Sequence, residues 1–220
     1  MRGEKSCSVA IEAGIATGPA IPMEPTQTDG LASVLSRAHY DAPQFRYMIP
    51  DERARLRLLP ALFSIAIRAC QVHGEVQTTH KAAGGALWIG PRAQLTIGHL
   101  MRTEFPSLRF QWEWASLRRC INVGLQLDKV HERLIRGPHW RLLALALEPT
   151  KPKENAGKLL EPVHSRADSD GLPCYVETFN ESDLAFYKRH GFRIGGGGNI
   201  PRGGPDFWAM IRAPQAASLK

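Results

Sequence analysis

The chain has 220 residues, 43% of them apolar and 22% charged, which is ordinary globular usage and excludes a disordered or collagen-like polymer. No apolar run approaches the roughly 18 residues that a bilayer span needs, so no membrane segment is expected. The net charge of +7 is spread out, +4 over residues 1–130 and +3 over 131–220, and no block of like charge marks a nucleic-acid arm. Cys7, Cys70, Cys120 and Cys174 form no Cys-x-x-Cys pair, so neither a zinc site nor a disulfide framework is indicated. The start of the chain shows no signal-peptide pattern, and a reducing cytoplasm is the expected location.

Residues 1–20, rich in Gly, Ala and Ser, read as a flexible extension, and 21–220 as a single domain. A short strand is expected at Ile21–Glu24, then a helix capped at Thr28 or Asp29 with Leu31, Val34 and Leu35 on one side. Asp51 and Glu52 open a longer helix, because acids suit the positive end of its dipole. Pro60 kinks that helix and Gly74 ends it. Glu75–His80 and Gly85–Ile89 form two strands joined by a short connection. Residues 92–136 are mostly helical with a break near Pro106, and Phe110, Trp112 and Trp114 read as helix packing.

Leu142–Leu147 is a near-continuous apolar run, which suits a strand buried on both faces. A lysine-rich turn, Thr150–Glu154, leads into a helix starting near Asn155, with Pro162 in its interior. Cys174–Phe179 is the next strand, and Ser182–His190 a short helix closed by Gly191. Phe192–Ile194 and Phe207–Ile211 are closing strands, with Gly195–Gly198 a flexible loop between them. The alternation of elements gives a mixed α/β sheet.

Two features carry chemistry. A turn feeding a helix N-terminus presents free N–H groups and a positive dipole end, which suits phosphate. Here Gly157 allows close backbone approach, Asn155 can cap the helix, and Lys151, Lys153 and Lys158 add positive charge. Further on, Tyr187 stands on a helix that a glycine closes, and its phenol, with an ordinary pKa of about 10, can donate a proton. The eight histidines show no His-x-x-x-His spacing and no metal is expected.

These parts follow one another as His139-Trp140, Leu145 to Pro149, Ala156 to Val163, Gly171 to Thr178, Phe186 to Phe192 and Gly203 to Met210. In order and spacing they resemble the GNAT N-acetyltransferase superfamily, and the tail resembles its puromycin N-acetyltransferase-like branch. The resemblance implies a GNAT-like α/β fold, a mixed central sheet of about six or seven strands flanked by helices. It implies acetyl-CoA as co-substrate. The backbone of Leu145, Ala146 and Leu147 would hold the pantetheine arm, and Lys153, Glu154, Asn155, Ala156, Gly157 and Lys158 would surround the pyrophosphate. Tyr187 would protonate the departing thiolate. Glu177 is the candidate base for the attacking amine, with Glu148 and His139 behind it. The implied activity is acetyl transfer to a primary amine of a small molecule, by direct attack in a ternary complex. Nucleic acid and membrane are not expected partners, and a homodimer is left open.

The chain departs from the family at the phosphate turn, where the pattern Gln/Arg-x-x-Gly-x-Gly/Ala is one residue short. Pro152 lacks an N–H, and Asn155 or Glu154 stands at the first glycine. Asp183 occupies the place of a CoA-contacting asparagine, and an ionised carboxylate accepts hydrogen bonds without donating them. The alternative reading is therefore a degenerate, non-catalytic GNAT-fold binding or regulatory domain with a weakened acetyl-CoA site.

Overall fold

The computed structural model describes residues 20–79, 81–93, 113–150 and 153–215. The expected extension, apart from Ala20, lies outside the described residues, as do Lys151, Pro152, Phe110, Trp112 and the break at Pro106. Seven strands form one sheet: β1 (Ile21–Pro22), β2 (Gly74–Thr78), β3 (Gly84–Ile89), β4 (Trp140–Leu147), β5 (Cys174–Thr178), β6 (Arg193–Asn199) and β7 (Asp206–Arg212). Their order is β1-β2-β3-β4-β5-β7-β6. Every neighbouring pair is antiparallel except β4 and β5, which run parallel.

Alternation along the strands sends side chains to two cores. Ala86 and Trp88 of β3, Cys174 and Val176 of β5 and Met210 of β7 share one cluster with Leu159, Val163 and Tyr187. Leu87 and Ile89 of β3 go to the opposite face, against Leu31, Leu35, Phe63 and Ile67, and there Tyr175 and Ala209 meet Leu127 and Val130. That second face is covered by α1 (Thr28–His39), α2 (Pro43–Met48), α3 (Glu52–His73) and α4 (Trp114–Leu134), and the first by α5 (Glu161–Ser169) and α6 (Leu184–Arg189). At the start of α3 the Asp51 carboxylate accepts the Ala54 N–H at 2.7 Å, so the expected helix start carries a side-chain cap as well as a dipole partner.

Three expectations need correction. Residues 195–198 are part of β6, paired with β7 through Gly196↔Ala209, Gly197↔Trp208 and Gly198↔Phe207. Ile194 opposes Met210 and Gly196 opposes Ala209, which makes Gly195 the extra residue of a bulge. A Cβ on Gly196 would press on the Leu134 side chain at 3.0 Å, so small residues there let α4 lie close over the strand. Next, no single helix spans Asn155 and Pro162. A 3₁₀ helix covers Lys153–Leu159 and α5 begins at Glu161, with Pro162 in its first turn, where a missing N–H costs nothing. Asn155 therefore lies inside the 3₁₀ segment and does not cap α5. Finally, Trp114 is 76% exposed and packs into no core.

The far end of the sheet is tied by an ion pair. Arg212 Nη1 and Nη2 each reach a carboxylate oxygen of Asp168 at 2.7 Å, and the Gln215 N–H donates to Asp168 Oδ1 at 2.8 Å. The Arg212 hydrogen bonds hold the Asp168 carboxyl below its ordinary 3.8, against the opposing effect of burial. A depressed carboxyl pKa adds stability that is present above the ordinary value and is lost as pH falls through the depressed one. Asp168→Asn should accordingly lower Tm at pH 7, and the gap to wild type should narrow as melts are taken from pH 4 downward. A gap independent of pH would contradict this account.

Candidate active site

β4 and β5 pair at only three positions, Trp140↔Cys174, Arg141↔Tyr175 and Leu142↔Val176. Beyond these, β4 continues against β3 as far as Leu147↔Gly84, and β5 continues against β7 as far as Thr178↔Trp208. Each strand follows its outer neighbour, and the two part. A bulge sits at the parting, because Leu87 opposes Ala144 while Trp88 opposes Leu142, leaving Leu143 as the extra residue. Bulges bend a strand and increase its twist. Leu143, Ala144 and Leu145 are only half-buried, which corrects the expectation of a strand buried on both faces throughout. Among the described residues their backbone groups on the β5 side have no strand partner, and such groups bind a ligand or water.

Arg141 lies one residue before the last paired position, Leu142↔Val176, and is 2% exposed. Its Nη2 meets Glu177 Oε1 at 2.7 Å, its Nε meets Glu177 Oε2 at 3.4 Å, and its Nη1 meets Asp128 Oδ1 at 3.4 Å. Burial pushes the Glu177 carboxyl up and the Arg141 charge opposes that rise. One guanidinium thus ties α4, β4 and β5 together just where the sheet opens.

Three cavities meet along the opening. The first, about 420 Å³, is bounded by Leu145, Ala146, Leu147, Ala156, Asp183 and Tyr187, and by Arg37, Ala38, His39, Asp41 and Ala42 from the end of α1 and beyond it. The second, about 80 Å³, sits in the mouth between the strands. It shares His39, Leu145, Asn180, Asp183 and Tyr187 with the first. The third, about 220 Å³, lies under α2, α3 and α4, and shares Gln44, Phe45, Phe63, Leu143, Ala144, Glu177 and Phe179 with the second. Tyr187 and Glu177 both line the small middle cavity. Tyr187 is buried between Phe186 and Phe192, with ring centroids at 5.3 and 5.6 Å. Burial, with the Asp183 carboxylate nearby, pushes its phenol up, so it stays protonated at neutral pH.

Leu145, Ala146, Leu147, Ala156, Asp183 and Tyr187 thus border the first cavity, and Glu177 borders the other two. Lys153 and Glu154 belong to the 3₁₀ segment, and Asn155, Gly157 and Lys158 do not line any of the three cavities. The close approach at Gly157 is to a protein side chain: a Cβ there would overlap the His190 ring, which donates through Nδ1 to the Phe186 carbonyl at 2.8 Å. Glu148 borders the first cavity but is gripped by Arg37, Nη2 to Oε2 at 2.6 Å and Nε to Oε1 at 3.0 Å. His139 borders none of the three and bonds His131, Nε2 to Nε2 at 2.7 Å. Sequence reasoning missed His39, Asn180 and Arg37. Basic residues in a last helical turn usually mean only dipole complementarity, so nothing in the spacing joined residues 37 and 39 to strand 140–147. Asn180 stood three positions from the flagged Asp183, and its amide offers the donors that Asp183 lacks.

No family model matches the chain. An uncharacterised N-acetyltransferase of Schizosaccharomyces pombe is 25% identical over 169 residues, covering 73% of this chain and 68% of that protein. The crystal structure of histone acetyltransferase HPA2 and related acetyltransferase from Corynebacterium glutamicum superposes with a TM-score of 0.65 at 20% identity, over 91% of this chain and 98% of that one. The chain has the GNAT fold. A second GNAT likeness, to a mosquito arylalkylamine N-acetyltransferase (like 5b), has a TM-score of 0.56 at 12% identity, over 88% of this chain and 98% of that one. The two structures bear on the fold alone. The puromycin-like branch within the superfamily stays an expectation.

The geometry makes one demand that can be tested by unfolding. Arg141→Met leaves Glu177 and Asp128 buried without their cation, and breaking a buried pair this way costs about 3–5 kcal/mol. A urea titration should show that loss. Adding Glu177→Leu to the same chain should recover part of it. A single variant as stable as wild type would mean that Arg141 does not hold the opening.

Proposed function

We propose that this chain is an acetyl-CoA-dependent N-acetyltransferase that passes the acetyl group directly to a primary amine while both substrates are bound. The observation that carries this reading is the small cavity at the parting of β4 and β5, where Tyr187 and Glu177 line one space joined on either side to a larger one. A strand edge with unpaired backbone groups suits the amide-bearing pantetheine arm. When bound, acetyl-CoA supplies an activated carbonyl with a thiolate as leaving group.

The chain's own residues supply the rest. Leu145, Ala146 and Leu147 hold the arm by backbone hydrogen bonds. Asn180 and Asp183 flank it, with Asn180 as the donor. Glu177 takes the proton from the ammonium of the acceptor, which frees the nitrogen lone pair for attack on the carbonyl carbon. The receiving oxygen is Oε2, held by Arg141 at 3.4 Å, whereas Oε1 is locked at 2.7 Å. A carboxyl raised by burial is a better base than a solvated one. Backbone N–H groups at the Leu143 bulge stabilise the negative charge that develops on the carbonyl oxygen. As the new C–N bond forms and the C–S bond breaks, Tyr187 gives its proton to the sulfur, and the phenolate takes up the second proton that the attacking nitrogen sheds as it becomes the amide. The 3₁₀ segment Lys153–Leu159 offers fewer aligned N–H groups to phosphate than an α-helix N-terminus would, and the cation that borders the first cavity, Arg37, is paired with Glu148.

Acetyl-CoA at 100 times its Kd should raise stability by about 2.7 kcal/mol, a clear Tm shift. Tyr187→Phe should retain that shift and lose on the order of 10²-fold or more in kcat. Absence of any shift at millimolar acetyl-CoA would support the non-catalytic alternative instead. Full activity in the phenylalanine variant would remove Tyr187 from the mechanism.

A further inference from the structure

We infer that the acceptor is a small apolar monoamine, such as an aryl-alkyl or branched alkyl amine, and that di- and polycationic amines are excluded. The inference rests on the proposed transfer reaction and concerns the third cavity. Its described walls are Phe45, Met48, Phe63, Val123, Leu127 and Phe179 together with smaller apolar groups, and its volume is about 220 Å³. That is room for a ring and a short chain, with apolar burial as the driving force. Polar lining is confined to one end. Gln44 and Glu177 border both this cavity and the middle one, so the polar end faces the reacting groups and the apolar end lies away from them.

Charge decides against polyamines. Glu177 is the only acid among the described residues of the third cavity and lies at its polar end, where with Asp128 it shares the one cation Arg141, so that end has room for a single further ammonium. A second ammonium carried into the apolar end would be buried without a partner, which is costly. A single amino group at the polar end meets a better situation. Gln44 Oε1 is buried with no hydrogen-bond partner among the described residues. An acceptor atom left in that state costs free energy until a donor arrives, and the N–H of a bound amine supplies one. The apolar body of the amine then replaces water on Phe45, Phe63 and Phe179, and the nitrogen is turned toward the middle cavity where Tyr187 stands.

The test compares phenethylamine, ethylamine and putrescine with the full chain at saturating acetyl-CoA. Phenethylamine should exceed putrescine in kcat/KM by at least about tenfold, the discrimination that one buried apolar group commonly gives. Val123→Trp, which fills the cavity, should lower the preference for phenethylamine over ethylamine by a similar factor, with the acetyl-CoA Tm shift reporting that the variant is folded. Gln44→Leu should raise KM for phenethylamine. Putrescine used as well as or better than phenethylamine would overturn the inference, and so would a preference unchanged in folded Val123→Trp. Calorimetry with phenethylamine in the presence of CoA separates this inference from the transfer reading. Binding without turnover of any amine would contradict the transferase and uphold the apolar site. No binding heat at 10 mM phenethylamine would overturn the apolar site whatever the chain acetylates. The wild-type ratio needs no variant, so the inference stays testable even if Val123→Trp does not fold.

Discussion

A guanidinium buried at the point where two parallel strands separate holds this molecule in its working shape. Arg141 contacts a carboxylate on β5 and another on α4 while its own backbone still pairs within the sheet. Desolvating these three charges is expensive, and a well-packed apolar trio could be equally stable. What the trio provides is position. It closes the β4–β5 seam on one side of the parting, and the Leu143 bulge bends β4 away on the other. A sheet that stayed paired from Trp140 to Leu147 would bury its edge and leave no room between Leu145 and Tyr187.

From that parting the other features follow. The opening lies inside the sheet, so it joins cavities built by different helices. The larger one lies between the end of α1 and the Asn180–Tyr187 segment, and the apolar one beneath α2, α3 and α4. Two substrates can thus approach from separate directions and meet at a small volume bordered by Tyr187 and Glu177. Burial keeps the phenol protonated and raises the carboxyl, so a proton donor and a proton acceptor line the same small cavity. This is the division of labour that acyl transfer to an amine requires.

Much of the frame was legible in the chain. Asp51 and Glu52 at a helix start and the two strands around residues 75–89 rest on local rules that nothing overrode, and the apolar run at 142–147 is a strand as expected, though not buried on both faces throughout. Tyr187 and Leu145–Leu147 came from a run of short motifs in family order, and they do border the first cavity. Gly195–Gly198 misled because glycine signals a loop unless close packing claims it, and the partner that claims it, Leu134, is some sixty residues away. Pro162 misled because a helix boundary two residues earlier was invisible. The Leu143 bulge leaves no mark in an unbroken apolar run, since it depends on registers with both neighbours. His39 and Gln44 were missed for the same reason: their meaning comes from β4 and β5 lying across from α1 and α2, a long-range fact that periodicity does not carry.

The central claim is that the β4–β5 parting is where the reacting groups meet. A crystal structure of the chain with CoA tests it most directly. The account predicts the pantetheine arm hydrogen-bonded to the backbone of Leu145–Leu147, with the sulfur within about 4 Å of Tyr187 Oη, close to the reach proton transfer requires. A CoA bound elsewhere, with β4 and β5 paired beyond Leu142 or the Tyr187 hydroxyl turned from the sulfur, would contradict it.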